Sequence, residues 1–323
     1  MNSQAVTKHS VAARHTQSGV TLIELLVAMV IGLFLALGSI TVFTQSRASY
    51  RLSDGQARLQ ENLRFAMDNI EPDIRLARFW GRNNEPGLVQ DPAGVAVACG
   101  GADATALATT FNLPVASVDD SVGYAAGIPC AAASGARADS DALIVRHVSA
   151  QATPLQAGRL QVRSDLGTAT LFNDGANPAG FGANAQTHDL VVNVYYVDNG
   201  SNLDPNLPSL RRWTLNAAGN LVDEEMIAGV ENLQVQLGID ETGNGTVTRY
   251  VDGNNAAAAA NPVMAVRLWI LMRSEQPETG FVDNAVYTPP DADLGVINPG
   301  AAGYLVNARR EQITKTIQLR NNR

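Results

Sequence analysis

The hydrophobic positions near the N-terminus form one uninterrupted run. Leu25–Phe43 contains nineteen residues without a charge, and a single acid, Glu24, precedes it. A helix of this length extends about 28 Å, which matches the hydrocarbon thickness of a bilayer. The pattern therefore predicts a membrane-spanning helix over residues 20–43.

Beyond this span, apolar residues recur mostly at steps of three and four, which is typical of an amphipathic helix. The positions are Leu52, Leu59, Leu63, Ala66, Ile70, Ile74 and Ala77. We predict one N-terminal helix over residues 20–80, with its second half packed on a head domain. Pro72 predicts a kink or an end near Glu71, because proline lacks the N–H donor and disfavours helical geometry in the residue before it.

From residue 81 the pattern changes to that of β-structure. Residues 81–135 are rich in Gly, Ala, Pro and Asp and indicate an irregular insertion. Seven later runs have the alternating or continuously apolar character of strands. They are Ala142–Val148, Leu160–Arg163, Leu190–Val197, Leu210–Leu215, Leu233–Ile239, Val263–Met272 and Gln312–Leu319. The predicted fold class is α+β, a long helix packed on an antiparallel β-sheet head over residues 81–323, with Ala256–Ala260 as a loop or strand lead-in.

Charge and composition reduce the range of possible functions. The net charge is −8, and residues 83–308 hold 9 basic and 24 acidic side chains, which argues against nucleic-acid binding driven by bulk electrostatics. Two cysteines and four histidines leave little material for a metalloenzyme. We assign no catalytic residue, no cofactor and no metal site.

The sequence contains two weak metal signals. Asp240–Gly245 has oxygen ligands at alternate positions and a glycine at the sixth position, as calcium loops have. It lacks an acid at the third position and has Val251 at the twelfth, so a hairpin turn is favoured. His147 and His188 have no Cys or Glu at ligand spacing and are expected to be core or surface residues.

Glu24 is the most informative residue of the span. A carboxylate in an apolar span costs about 2.5–3.5 kcal/mol at a central position and less near an interface, and this span has no base to pair with it. The nearest cation would be an α-amino group made by cutting the chain just upstream. The alternatives are a secretory signal cut near residues 36–38, a buried core helix, or a Glu24 side chain that reaches the lipid headgroups.

The segment GVTLIE, residues 19–24, follows a short basic leader and resembles the cleavage site of type IV prepilins. In that family the leader ends in Gly and the mature chain has Glu at its fifth position. The chain differs in having Val20 where Phe is more frequent, and in lacking a proline in the span, where Gly32 and Gly38 could supply flexibility.

The resemblance implies a type IV pilin-like fold and a leader over residues 1–19. A prepilin peptidase/N-methyltransferase would cut between Gly19 and Val20 and methylate the amine of Val20. Glu24 would form the assembly salt bridge with the terminal amine of a neighbouring subunit. The chain would sit in the inner membrane with its head in the periplasm, and later in the pilus on the cell surface.

Three later segments look like PilW-like minor pilins: GVENLQVQLGID (229–240), VMAVRLWILMRS (263–274) and RREQITKTIQLRN (309–321). This implies a subunit that helps to prime and assemble the type IV pilus, with a position at the tip as one option, supporting motility or adhesion. The implied partners are other minor and major pilins, the peptidase and the inner-membrane pilus assembly platform.

In a periplasmic or extracellular compartment, Cys99 and Cys130 are expected to form a disulfide, the alternative being two separate buried thiols. Two other functions stay open. A pseudopilin of a type II secretion system would share the N-terminus. A membrane-anchored enzyme whose leader only mimics a prepilin requires a catalytic constellation in residues 81–323, and the sequence shows none.

Overall fold

The computed structural model describes residues 19–91, 95–120, 127–291, 293–301 and 303–321. The chain divides into two compact units, one ending at Asp54 and the other beginning at Gly55. The predicted leader, residues 1–19, lies outside the described residues except for Gly19.

The first helix, α1, extends over Leu22–Leu76 and has 55 residues. Of the predicted kink or end near Glu71, the end is wrong, because Pro72 lies inside the helix. Proline removes one hydrogen bond, the one that its N–H would donate to the carbonyl of Asp68. Asp68 lies at an exposed position, where water can satisfy that carbonyl, so the helix continues for another turn.

The second unit is rich in β-structure. Its described strands are β1 (Val89–Gln90), β2 (Ala98–Cys99), β3 (Ala102–Asp103), β4 (Val115–Val118), β5 (Ala142–Val148), β6 (Gln161–Ser164), β7 (Ala169–Phe172), β8 (Gln186–Asp198), β9 (Ser209–Leu215), β10 (Leu221–Ala228), β11 (Val230–Ile239), β12 (Arg249–Asp252), β13 (Val263–Arg273) and β14 (Arg310–Gln318). Two short helices, α2 (Thr105–Thr109) and α3 (Ala256–Ala260), and a 3₁₀ turn, Pro86–Leu88, accompany them. The predicted α+β class, a long helix followed by a β-rich head, is confirmed.

Two main sheets form the head. The larger has eight strands in the order β1-β7-β6-β8-β5-β4, with β9 also paired to β8 and β10 paired to β9. The start of β8 pairs with β6, and its later part pairs with β5 and β9 on opposite edges. The second sheet has four antiparallel strands in the order β12-β11-β13-β14.

The second half of α1 is buried against both sheets. Its buried residues are Leu59, Leu63, Ala66, Met67, Ile70 and Ile74. They share one core with Leu143 and Tyr195 of the larger sheet and with Leu233 and Leu268 of the smaller one. Complete burial of a Leu or Ile side chain contributes about 1.5–3 kcal/mol, so this stripe supplies much of the head's cohesion.

Polar bonds fix how α1 sits on the sheets within the second unit. Asn193 and Tyr195 of β8 donate hydrogen bonds to Asp73, and His147 of β5 lies 3.4 Å from it. Burial alone would raise the pKa of Asp73, but the bonds from His147, Tyr195 and Asn193 outweigh it and lower that pKa. A partly buried carboxylate that needs three specific partners allows one register of the helix on the sheet.

Seven of the described strands (β1, β2, β3, β4, β7, β10 and β12) and the two short helices were not predicted. Strand β10 contains Asp223, Glu224 and Glu225, which read as a polar loop when taken alone. In the sheet these acids face Arg211 and Arg212 of β9, with closest N–O distances of 2.8–3.1 Å. The weak strands β4, β7 and β12 have only four residues each.

The expectation of a loop or strand lead-in at Ala256–Ala260 is wrong. The segment forms α3, and the side chain of Asn255 accepts a hydrogen bond from the Ala257 N–H at 3.0 Å. Alanine has the highest helix propensity and Asn is a good N-cap, so the local sequence favours a helix.

A second core lies on the other face of the larger sheet, under the insertion of residues 81–135. It contains Trp80 and Phe111, whose rings meet edge to face at 5.1 Å. Cys99 and Cys130 belong to this core and are joined in a disulfide, with their Cα atoms 5.2 Å apart. The bond closes a loop with a sequence separation of 31 and holds the irregular insertion on the sheet.

Replacing both Cys99 and Cys130 with alanine should lower the free energy of unfolding by about 3–4 kcal/mol, because the unfolded chain regains the freedom that the loop removes. Urea unfolding of the full chain in detergent micelles measures this. A reducing agent should bring the wild type to the level of the variant and leave the variant unchanged. Equal stability of the oxidised wild type and the variant contradicts the prediction.

Candidate functional site

The predicted cleavage site lies immediately before α1. Gly19, Val20 and Thr21 are exposed and not helical, and α1 begins at Leu22. The Thr21 hydroxyl accepts a hydrogen bond from the Glu24 N–H at 3.3 Å, and its carbonyl accepts one from the Leu25 N–H at 3.1 Å. Thr21 is therefore the N-cap of the helix, and Thr-x-x-Glu is the sequence of a capping box. This signal was visible in the sequence and was missed there.

Glu24 lies in the first turn of α1 with an exposed side chain. A carboxylate at this position interacts favourably with the positive end of the helix dipole, by about 0.3–1 kcal/mol at an exposed site. This is less than the cost of about 2.5–3.5 kcal/mol for a central acid in a bilayer. The helix end alone therefore does not compensate the charge in lipid, and residues 20–46 contain no Lys, Arg or His that could.

The helix surface that follows Glu24 is apolar all round. Its large hydrophobic side chains are more than half exposed, from Leu25 to Phe43, and within the described residues α1 is long and apolar enough to cross a membrane. The few hydroxyl groups bond to their own helix: Ser39 donates to the Leu35 carbonyl at 2.8 Å, and Thr41 donates to the Gly38 carbonyl at 2.8 Å. This segment can enter an apolar surrounding without leaving a polar group unsatisfied except the Glu24 carboxylate.

A buried ion network lies at one end of the smaller sheet. Glu231 of β11 is fully buried and receives two bonds from Arg310 of β14, at 2.6 and 3.1 Å. Arg273 of β13 approaches the same carboxylate at 3.3 Å, and Arg310 also contacts Asp283 at 3.0 Å. Burial alone would lower the pKa of Arg310, but its bonds to Glu231 and Asp283 raise it. Arg310 therefore stays charged and joins the ends of two strands to the segment between β13 and β14.

This network joins the three sequence segments that resemble PilW-like minor pilins. Glu231 comes from residues 229–240, Arg273 from residues 263–274, and Arg310 from residues 309–321. All three segments are recognisable in the sequence, but nothing in the sequence indicates that their charged residues meet. Strand pairing brings them together: β11 pairs with β13, and β13 pairs with β14, where Arg273 is opposite Arg310.

The other predicted residues have structural partners. Both oxygens of Asp240 accept backbone N–H bonds, one from Thr242 and Gly243 and the other from Gly245. This loop joins the antiparallel strands β11 and β12 and is a hairpin turn. His188 has its Nδ1 2.8 Å from the carbonyl of Ser149, and His147 lies beside Asp73.

Three acids gather at a place that the sequence did not indicate. One carboxylate oxygen from each of Asp119, Asp120 and Asp291 lies within 4.8 Å of the other two. Among the described residues this is the group of His, Cys, Asp and Glu side chains whose geometry suits a metal ion. The signal was absent from the sequence because Asp291 is far from the other two along the chain.

Comparison with known proteins gives two family matches. Residues 194–321 match the model described as type IV pilus-assembly protein W. Residues 14–40 match the prokaryotic N-terminal methylation motif, a range that includes Gly19, Val20 and Glu24. These matches confirm the resemblance to prepilins and to PilW-type proteins, and the first match contains the whole buried ion network.

No curated protein sequence matches the chain. Among solved structures, a type IV-like pilin from Thermus thermophilus is similar, with 14% sequence identity and a TM-score of 0.29. The similarity covers 57% of this chain and 79% of that one.

Glu231→Gln should lower the free energy of unfolding by about 3–5 kcal/mol, because Arg310 and Arg273 then remain buried without their shared counter-ion. Glu224→Gln is the matched control, since Glu224 pairs with Arg212 at the surface and an exposed pair contributes about 1 kcal/mol or less. Denaturant unfolding of the full chain in detergent, followed by tryptophan fluorescence, measures both. Similar losses in the two variants would contradict the structural role of the network.

Proposed function

We propose that this PilW-type chain is a minor pilin that helps to prime and assemble the type IV pilus and has a structural, not a catalytic, role. One observation carries the proposal. A carboxylate lies in the first turn of a helix whose large apolar side chains from Leu25 to Phe43 are exposed, directly after a non-helical segment and within the match to a methylation motif. The match to a pilus-assembly family over residues 194–321 supports the same role.

The first step is proteolysis between Gly19 and Val20. Hydrolysis of this amide releases the leader and leaves a new α-amino group on Val20, which the same peptidase/N-methyltransferase methylates. Methylation keeps the amine basic, so Val20 remains a cation. The exposed, non-helical backbone on both sides of the bond supports access by the enzyme.

The second step is docking in the membrane. Glu24 lacks a cation in its own span, and the processed neighbour offers one at its terminus. Two unit charges 4 Å apart attract by about 4 kcal/mol at an effective dielectric constant of about 20. This attraction is comparable with the insertion cost of the acid, so pairing offsets a penalty that α1 cannot remove alone. It also fixes the axial position of the incoming subunit.

The head faces an oxidising compartment in this proposal. A disulfide of this kind persists in the periplasm and outside the cell, and Cys99–Cys130 holds the insertion of the head. The chain thus starts in the inner membrane with its head in the periplasm and ends in the pilus on the cell surface. Its partners are other minor and major pilins, the peptidase and the inner-membrane assembly platform. A position at the pilus tip and a part in motility or adhesion belong to the same proposal.

Gly19→Val should prevent processing. A side chain at Gly19 meets nothing within 4 Å in the described structure, so the change acts on recognition by the peptidase and not on folding. Intact mass of the membrane-extracted protein should show that the wild type has lost residues 1–19 and carries one methyl group, whereas the variant keeps its leader. Gly55→Ala, which also meets nothing within 4 Å, is the matched control and should be processed. An uncut wild-type chain would refute the prepilin role.

Glu24→Gln should leave cleavage intact but lower incorporation into sheared fibres by at least about tenfold, since the loss of even 1.4 kcal/mol of pairing changes an equilibrium by that factor. Glu61→Gln, an exposed acid of the same helix, is the matched control and should be incorporated like the wild type. Glu24→Asp keeps the charge and should restore part of the incorporation. Quantitative immunoblots of fibre and membrane fractions measure all three, and normal incorporation of Glu24→Gln removes the docking step.

In a strain that lacks the chain, loss of surface fibres with secretion intact favours the pilus over a type II secretion system.

A further inference from the structure

Three segments of the head bring carboxylates to one place. Asp119 and Asp120 directly follow strand β4, and Asp291 lies in the long connection between β13 and β14. One carboxylate oxygen from each of the three lies within 4.8 Å of the other two. The connection and the insertion cover different sheets, so the cluster joins two parts of the head that are far apart along the chain.

Each of the three residues has a buried carboxylate oxygen without a hydrogen-bond donor: Oδ1 of Asp119, Oδ1 of Asp120 and Oδ2 of Asp291. Asp291 is the most informative because its side chain is only 4% exposed. Its Oδ1 accepts the Asp293 N–H at 2.8 Å, which leaves Oδ2 as the oxygen free for the cluster. Buried polar atoms are normally paired, so three unpaired oxygens at one point are suited to a positive partner.

The cluster is held in place by bonds that do not satisfy these oxygens. Asn254 donates to the other oxygen of Asp119. The Asp120 N–H donates to Asp141 at 3.1 Å, and Asp141 in turn accepts the Val235 N–H of β11 at 2.8 Å. The carboxylates are therefore positioned by the sheet and by neighbouring turns, and their spacing is set before any ion arrives.

The electrostatics are those of unbalanced negative charge. Burial and the neighbouring carboxylates of Asp120, Asp291 and Asp252 raise the pKa of Asp119 to about 6. Burial and nearby acids also raise the pKa of Asp120 and of Asp291. The native fold thus brings like charges together at a cost that a bound cation would remove.

We propose that Asp119, Asp120 and Asp291 bind one calcium ion. The donors are all carboxylate oxygens, which hard divalent cations prefer, and no Cys or His takes part. Magnesium dehydrates reluctantly, keeps several waters and is usually held by one or two carboxylates, whereas calcium accepts several carboxylate ligands in a flexible geometry. Three protein carboxylates whose oxygens all lie within 4.8 Å of one another therefore suit calcium. The ion would tie the insertion after β4 to the connection between β13 and β14. This site is independent of the proposed processing and docking of the N-terminus.

Calcium binding can be tested on the full chain in detergent micelles after treatment with EGTA. Isothermal titration with calcium chloride should show one ion per chain, with a Kd of about 0.1–1 mM, as in extracellular calcium modules. Asp291→Asn should weaken binding by at least about tenfold. Asp293→Asn is the matched control, since its exposed carboxylate is screened by solvent, and it should bind within a factor of about three of the wild type.

A second measurement separates a ligand from a structural residue. In EGTA, Asp291→Asn should melt at the same temperature as the wild type or higher, because the change removes a repelling charge and Asn can still accept the Asp293 N–H. In saturating calcium the order should reverse, because only the wild type gains stability from the ion. Asp119→Asn should behave in the same way.

Three results would overturn the proposal. The first is that the wild type binds no calcium up to about 10 mM, a concentration well above the Kd of the weakest extracellular calcium sites. The second is that Asp291→Asn and Asp119→Asn both bind as tightly as the wild type. The third, tighter binding of magnesium chloride than of calcium chloride, would refute the assignment of calcium. If Asp291→Asn fails to fold in EGTA, the carboxylate is needed without the ion, which also counts against the proposal.

Discussion

The burial of the second half of α1 is the constraint on which the head depends. The stripe from Leu59 to Ile74 is covered on both sides, by the larger sheet and by the smaller one, and each buried Leu or Ile contributes about 1.5–3 kcal/mol. Asp73 also fixes the orientation of the helix on the larger sheet, because its three partners lie on neighbouring strands of that sheet.

Much of this architecture could be predicted from the sequence, namely the elements whose local pattern agrees with the tertiary structure. The run at β5 was predicted with its observed bounds, and the apolar stripe of α1 was read correctly, because a period of three to four survives in any surrounding. The misses occurred where structure depends on distant partners. Strand β10 is stabilised by arginines of β9, and Pro72 is tolerated because the carbonyl it leaves unbonded belongs to an exposed residue. Rules based on the local sequence alone therefore predict a loop at β10 and a helix end at Pro72.

The candidate sites divide in the same way. Residues 19–24 form a contiguous motif, so its residues were identified from the sequence, although the capping role of Thr21 was missed. The network of Glu231, Arg273 and Arg310 and the cluster of Asp119, Asp120 and Asp291 are assembled by strand pairing and loop packing. Their members look like ordinary surface charges in the sequence, and only their burial and distances distinguish them. Charged residues that come together from distant segments produce no periodic pattern in the sequence.

Glu24 and Glu231 show two ways to accommodate an acid away from water. Glu231 is fully buried, and two arginines of its own chain neutralise it within the head. Its charge is therefore compensated without any other molecule. Glu24 has only the weak field of its helix end, and its apolar surroundings contain no base. An acid of the first kind stabilises one chain, whereas an acid of the second kind is favourable only when another molecule supplies the cation. The same carboxylate chemistry therefore stabilises the head from within and, in the proposed docking step, makes the N-terminal helix depend on a neighbouring subunit.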